Sequence, residues 1–176
     1  MNINLNAPNR ILQVKNFLRP IDLLKWFEKA NLQKYCYAYY VIDPNTQKEF
    51  IMNIGMSIGE EIGDRIYRKT GNLPGWGHLA LTGERGADMK KIVKSFEEKY
   101  PHIKVHKDDV NIHIWETGHL QSNNLIDATV TAEKDLLTQC ENRDGVIPPG
   151  NYQDPRTRNI VAVNRIVAET LFEGMC

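Results

Sequence analysis

The chain has 176 residues with 22 basic and 22 acidic side chains, so its formal charge at neutral pH is zero. That balance argues against broad, nonspecific coating of nucleic acid, for which a basic excess would be expected, but leaves room for a local basic surface. An apolar content of 41% and a charged content of 25% suit one soluble domain. No run approaches the roughly 18 apolar residues of a membrane helix. The N-terminal "MNINLNAPNRILQ" lacks the basic start and apolar block of a secretory signal, so the expected location is cytoplasmic. Cys36, Cys140 and Cys176 are scattered, with no CxxC pair. They predict neither a disulfide framework nor a cysteine zinc site.

Taken in order, "PIDLLKWFEKANL" (20–32) predicts an amphipathic helix opened by Pro20. "YCYAYYVI" (35–42) reads as a strand, "DPNTQ" as a turn and "EFIMNIGMS" (49–57) as the return strand of an antiparallel hairpin. A helix is expected from Ser57 to Thr70, with Ile58, Ile62 and Ile66 as its apolar stripe, ended by Gly71. "GNLPGWGHLALTGERG" (71–86) reads as a loop. The next helix runs from Ala87 to Tyr100, with Met89, Ile92, Val93 and Phe96 on one face. "HIKVH" (102–106) and "VNIHIWET" (110–117) alternate as strands do, a helix follows from about Thr131 to Glu141, and a last one is expected over 159–173. This order predicts an α+β fold: a small antiparallel or mixed sheet of about three strands flanked by helices, with additional N- and C-terminal helices at 1–34 and 156–176.

Three features stand out. Arg65 and Lys69 are four apart on one helix face, which alone is an ordinary solvated charged face. Glu133 sits on the same stripe as Leu136, Leu137 and Cys140, where a carboxylate is costly without a partner. The loop "PPGNYQDP" (148–155) carries Asn151. The histidines match no metal-ligand spacing, and the glycines of "GMSIGEEIG" fit no phosphate-loop pattern, so no nucleotide cofactor is expected.

In order and spacing, these features resemble the GIY-YIG nuclease family over about residues 36–155. "AYY" (38–40) stands at the first motif, "NIG" (53–55) at the second, "DRIYRK" (64–69) at the arginine helix, "AEKDLL" (132–137) at the glutamate helix and "PPGN" (148–151) at the asparagine loop. The resemblance implies that Tyr40 helps activate a water, that Arg65 contacts the scissile phosphate and that Glu133 binds a single divalent cation, Mg2+ or Mn2+. It implies that Asn151 supports the site and that Lys69 fills a position often held by histidine or tyrosine. Two departures are plain. Ala38 and Tyr39 replace the glycine and isoleucine of the first motif, and Asn53 replaces the tyrosine of the second.

The implied activity is a metal-dependent endonuclease acting on DNA. Such chemistry needs charge neutralised on phosphate and leaving oxygens, for which a metal at Glu133 and the planar fork of Arg65 are suited. Tyr40 can relay a proton if Lys69 or Arg65 lowers its phenol pKa. DNA contacts are expected from Arg68, Trp76, His78, Arg85, Lys90, Lys91 and Lys94, and a homodimer is one route to double-strand cutting. The alternative is a nucleic-acid-binding module that keeps the fold and has lost catalysis, which Asn53 favours. A hairpin that sets Tyr40 apart from Arg65 would favour an unrelated α+β domain.

Overall fold

The computed structural model describes residues 3–59, 62–76, 84–121, 126–151, 154 and 156, with residues 84–87 described by backbone only. Within it, β1 (Arg10–Gln13), α1 (Pro20–Ala30), β2 (Lys34–Ile42), β3 (Glu49–Ile58), α2 (Asp64–Thr70), α3 (Glu84–Lys99), β4 (Val110–Glu116) and α4 (Ala128–Asp144) follow in that order. The strands form one antiparallel sheet in the order β1-β4-β2-β3. The expected α+β class holds, with four strands rather than three among the described residues.

Strand β2 explains the layering. Its "YCYAYYV" run is buried on both faces, so it reads as continuously apolar rather than alternating. The odd residues Tyr35, Tyr37, Tyr39 and Val41 point to one core, shared with Leu23 and Phe27 of α1, Ile66 of α2, and Met89, Ile92 and Phe96 of α3. The even residues Cys36, Ala38 and Tyr40 point to the other, against Ala132, Leu136, Leu137 and Cys140 of α4. Three helices therefore cover one face and α4 the other. On the first face, Phe27 stacks on Tyr35 at 5.4 Å and Tyr37 meets Tyr39 edge-on at 5.7 Å, forming an aromatic row.

Three sequence expectations change. Residues 102–106 are not a strand. Ile103 and Val105 do turn inward, but the Val105 N–H donates to the Glu97 carboxylate rather than to a ladder. The helix expected from Ser57 starts only at Asp64. Strand β3 continues to Ile58, which pairs with Lys34, and Gly59 and Gly63 then take positive φ angles of 63° and 73°, which no helix accommodates. Strand β1 was not expected. The C-terminal helix at 159–173, and Cys176, lie outside the described residues.

Candidate functional site

Strand β3 is an edge strand, and the residues of interest gather along its outer side. Between Tyr39 and Tyr40 the ladder shifts by one residue, so Tyr39 opposes Asn53 while Tyr40 opposes Ile51. Met52, the extra residue, presents its carbonyl to the Gly150 N–H at 2.8 Å. Asn53 donates from Nδ2 to the Gly150 carbonyl at 3.3 Å. One step further, the Asn151 side chain takes both backbone groups of Ile54: its Oδ1 accepts from Ile54 N–H at 2.9 Å and its Nδ2 donates to Ile54 C=O at 2.8 Å. The amide thus mimics a neighbouring strand. Two residues on, Arg65 donates from Nη1 to the Met56 carbonyl at 2.6 Å.

The helix face expected at Arg65 and Lys69 is present, but its tyrosine is Tyr37. Lys69 is 8% exposed, donates from Nζ to the Tyr37 hydroxyl at 3.1 Å and lies 5.4 Å from the ring centroid. Tyr37 opposes Gly55, and a Cβ there would stand 2.5 Å from the Tyr37 hydroxyl, so a side chain at 55 would push the ring aside. Thr70, from the same turn of α2, bonds the Tyr39 hydroxyl at 3.0 Å.

Tyr40 does not meet Lys69, and the hairpin turns it to the face opposite α2 and so apart from Arg65, the outcome that favours an unrelated α+β domain. Tyr40 faces α4, is 3% exposed, and stacks on His113 with centroids 3.7 Å apart. Burial pushes its phenol up to about 12, against a smaller downward pull from Arg143. The expectation of a phenol lowered by Lys69 or Arg65 is therefore corrected in direction as well as in place. Strand alternation held the signal: Tyr37, not Tyr40, shares a face with the residues that meet α2.

Glu133 is buried, at 3% exposure, on the α4 stripe that reading its periodicity placed inward. It lies on the other side of the sheet, near the same stretch of β3. Cys36 opposes Met56, and after burial itself, the Glu133 carboxylate is the leading influence holding the Cys36 thiol well above its usual range. The Cys36 thiol also donates to the Thr129 carbonyl at 3.5 Å. Asp127, which caps α4, is bonded by Lys34 at 2.7 Å and by the Thr129 N–H at 2.9 Å. Burial raises its carboxyl, but those bonds outweigh it and leave it below the ordinary value.

The expected DNA-contacting residues divide. Lys90, Lys91 and Lys94 are exposed along α3. Arg68 is exposed but donates to Asp64 at 2.9 Å. Trp76 is half-buried, with the Lys107 ammonium 5.2 Å from its ring. His78 and the Arg85 side chain lie outside the described residues. Among the described residues, no group of three or more His, Cys, Asp or Glu gathers to hold a metal, and no helix is long and apolar enough to cross a membrane.

No protein-family profile matches the chain, and no curated protein or solved structure shows a significant match to it.

Proposed function

We propose that this chain is a GIY-YIG-type endonuclease that hydrolyses DNA phosphodiester bonds at the outer edge of β3. One observation carries the reading. Arg65 from α2, Asn151 from the loop after α4 and the Lys69–Tyr37 pair converge on the stretch Ile54–Met56 or on the β2 residue opposite it, while Glu133 from α4 approaches Cys36, opposite Met56, from the other face of the sheet. Of that stretch, Gly55 and Met56 are half-open to solvent, and so is Arg65. An arginine fork there suits a phosphate. The Tyr37 hydroxyl, held by the Lys69 ammonium, is assigned the proton relay; Tyr37 is fully buried, so the role requires the substrate or a water to reach it past Gly55. Gly55 keeps the space over the strand open for that ring.

A resident divalent cation would be held by Glu133. One carboxylate does not make an all-protein cage, so an ion held by Glu133 would take its remaining ligands from water and the phosphate, which requires the buried carboxylate to be reached from the sheet edge. Such an ion supplies Lewis-acid stabilisation of the leaving oxygen. Asn151 is assigned to support: it fixes the edge of β3 and through it the Met56 carbonyl that orients Arg65.

The second reading, a binding module without catalysis, is favoured by Asn53. Its amide is buried and donates from Nδ2 to the Gly150 carbonyl, while its Oδ1 has no hydrogen-bond partner among the described residues, so it brackets the loop. Cleavage of supercoiled and linear DNA with magnesium or manganese, with an EDTA control, separates the two. Metal-dependent cutting that falls about 100-fold or more in Glu133→Gln, whose fold is checked by circular dichroism, is the expected result. Binding that is unchanged by Glu133→Gln, without cutting by either protein, would establish the module instead.

A further inference from the structure

Beyond the Asn151 clamp, on the same edge of β3, lies a cavity of about 380 Å³ between the C-terminal ends of α3 and α4, walled by Glu49–Ile51 and closed by Pro148 and Pro149. Nothing in the proposed hydrolysis uses it. Its aromatic wall is Phe50 and Tyr100, with centroids 4.7 Å apart and planes inclined by 48°. Two exposed ammonium groups flank it: Lys48 lies 5.1 Å from the Phe50 centroid and Lys99 5.6 Å from that of Tyr100. Arg143 and Asp144 hold each other on the third side at 2.9 Å, and with Glu49 the lining carries three positive and two negative side chains. That is too little excess charge to trap a phosphate inside. It suits a neutral, flat, hydrogen-bonding group inside and phosphates at the lysine rim.

We infer that this cavity takes one unstacked nucleobase of the bound DNA strand, against Phe50 and Tyr100, while Lys48 and Lys99 meet the flanking phosphates. Aromatic walls are sequence-tolerant stacking platforms for single-stranded bases, and the paired Arg143 and Asp144 offer a donor and an acceptor to a base edge. The position agrees with the proposed cleavage site. From Phe50 to Met56 the strand advances by about 20 Å at about 3.3 Å per residue, a distance of roughly six nucleotides at the 3.4 Å rise of a duplex strand and fewer along an unstacked single strand. The loop that closes the cavity also carries Gly150 and Asn151, so the two places share one wall. The inference rests on the nuclease reading for its ligand but not on catalysis.

The test is binding of short single-stranded DNA oligomers carrying 2-aminopurine at each position in turn, in EDTA so that nothing is cut. One position is expected to change fluorescence on binding. Lys48→Glu with Lys99→Glu, both at exposed sites, and separately Tyr100→Leu, are expected to weaken binding about ten-fold and to abolish that change. Uniform fluorescence at all positions, or unaltered affinity in the double-lysine variant, would overturn the base pocket even if the protein cuts DNA. A position-specific signal lost in the variants, from a protein that cuts nothing, would keep the pocket and refute the hydrolase. If neither binding nor cutting is found, both fail.

Discussion

Replacing Asn151 by alanine removes an amide that makes two buried hydrogen bonds to Ile54, at 2.9 and 2.8 Å. The partners are a backbone donor and a backbone acceptor, so both are left wanting. An unsatisfied buried group costs about 1–3 kcal/mol, and water entering at the sheet edge would recover part of that. The expected loss is about 2–4 kcal/mol, or a fall in Tm of about 5–15 °C for a chain of this size. Asn151→Asp sharpens the test. It keeps the acceptor for the Ile54 N–H but sets a carboxylate oxygen against the Ile54 carbonyl. Repulsion and burial raise the folded-state pKa above the ordinary value of about 3.9. The destabilisation is therefore full above the folded pKa and fades as pH falls toward 4, where the protonated acid can donate. Urea melts at pH 7 and pH 4 measure both effects, the midpoint moving at constant m. An alanine variant within about 0.5 kcal/mol of the wild type would refute the clamp, since that is the scatter of an ordinary surface change.

Tyr37→Phe is expected to lower DNA cleavage about 100-fold, while Tyr40→Phe leaves it within a few-fold, because only Tyr37 meets Lys69; equal losses in the two variants would sink the assignment. Gly55→Ala drives a methyl into the Tyr37 ring and should cost about 1–3 kcal/mol of stability together with the activity, read from a urea melt and the same cleavage assay. His113 is 6% exposed, neither ring nitrogen has a hydrogen-bond partner among the described residues, and burial lowers its pKa from 6.5 to about 4. The unfolded chain binds this proton first, so stability is fully present above about pH 6.5 and falls as pH drops from there to 4, by at most about 3 kcal/mol. His113→Phe, which keeps the stack on Tyr40, should remove that acid slope from urea midpoints taken across the same range.

Much of the scaffold was legible where a pattern ran long enough to be read. The Met89, Ile92 and Phe96 spacing and the Leu136, Leu137 and Cys140 spacing each mark a buried helix face, and Glu133 was placed inward by the same periodicity. Strand β1 was not legible, because four residues with Leu12 as their one buried member give no period to detect. Residues 102–106 mislead for the opposite reason: the alternation is real and buries Ile103 and Val105, but among the described residues no strand pairs with it. The motif order points to Tyr40 because it counts letters along the chain, whereas the sheet sorts them by parity. The one-residue shift opposite Tyr40 and the partnership of Asn53 with Gly150 depend on a loop almost a hundred residues away, which no local pattern carries.

The clamp on β3 also bears on how copies of this protein treat one another. An open sheet edge is a row of free donors and acceptors, a ready template for a second chain to zip onto. Here the carbonyls of Met52 and Met56 are already taken by Gly150 and Arg65, and both outer groups of Ile54 by Asn151. At the far edge, β1 offers only four residues, with Arg10 at its head. The side chains that furnish the site therefore also insulate the sheet against unwanted strand addition, and loss of Asn151 would expose a sticky margin as well as misplace Arg65.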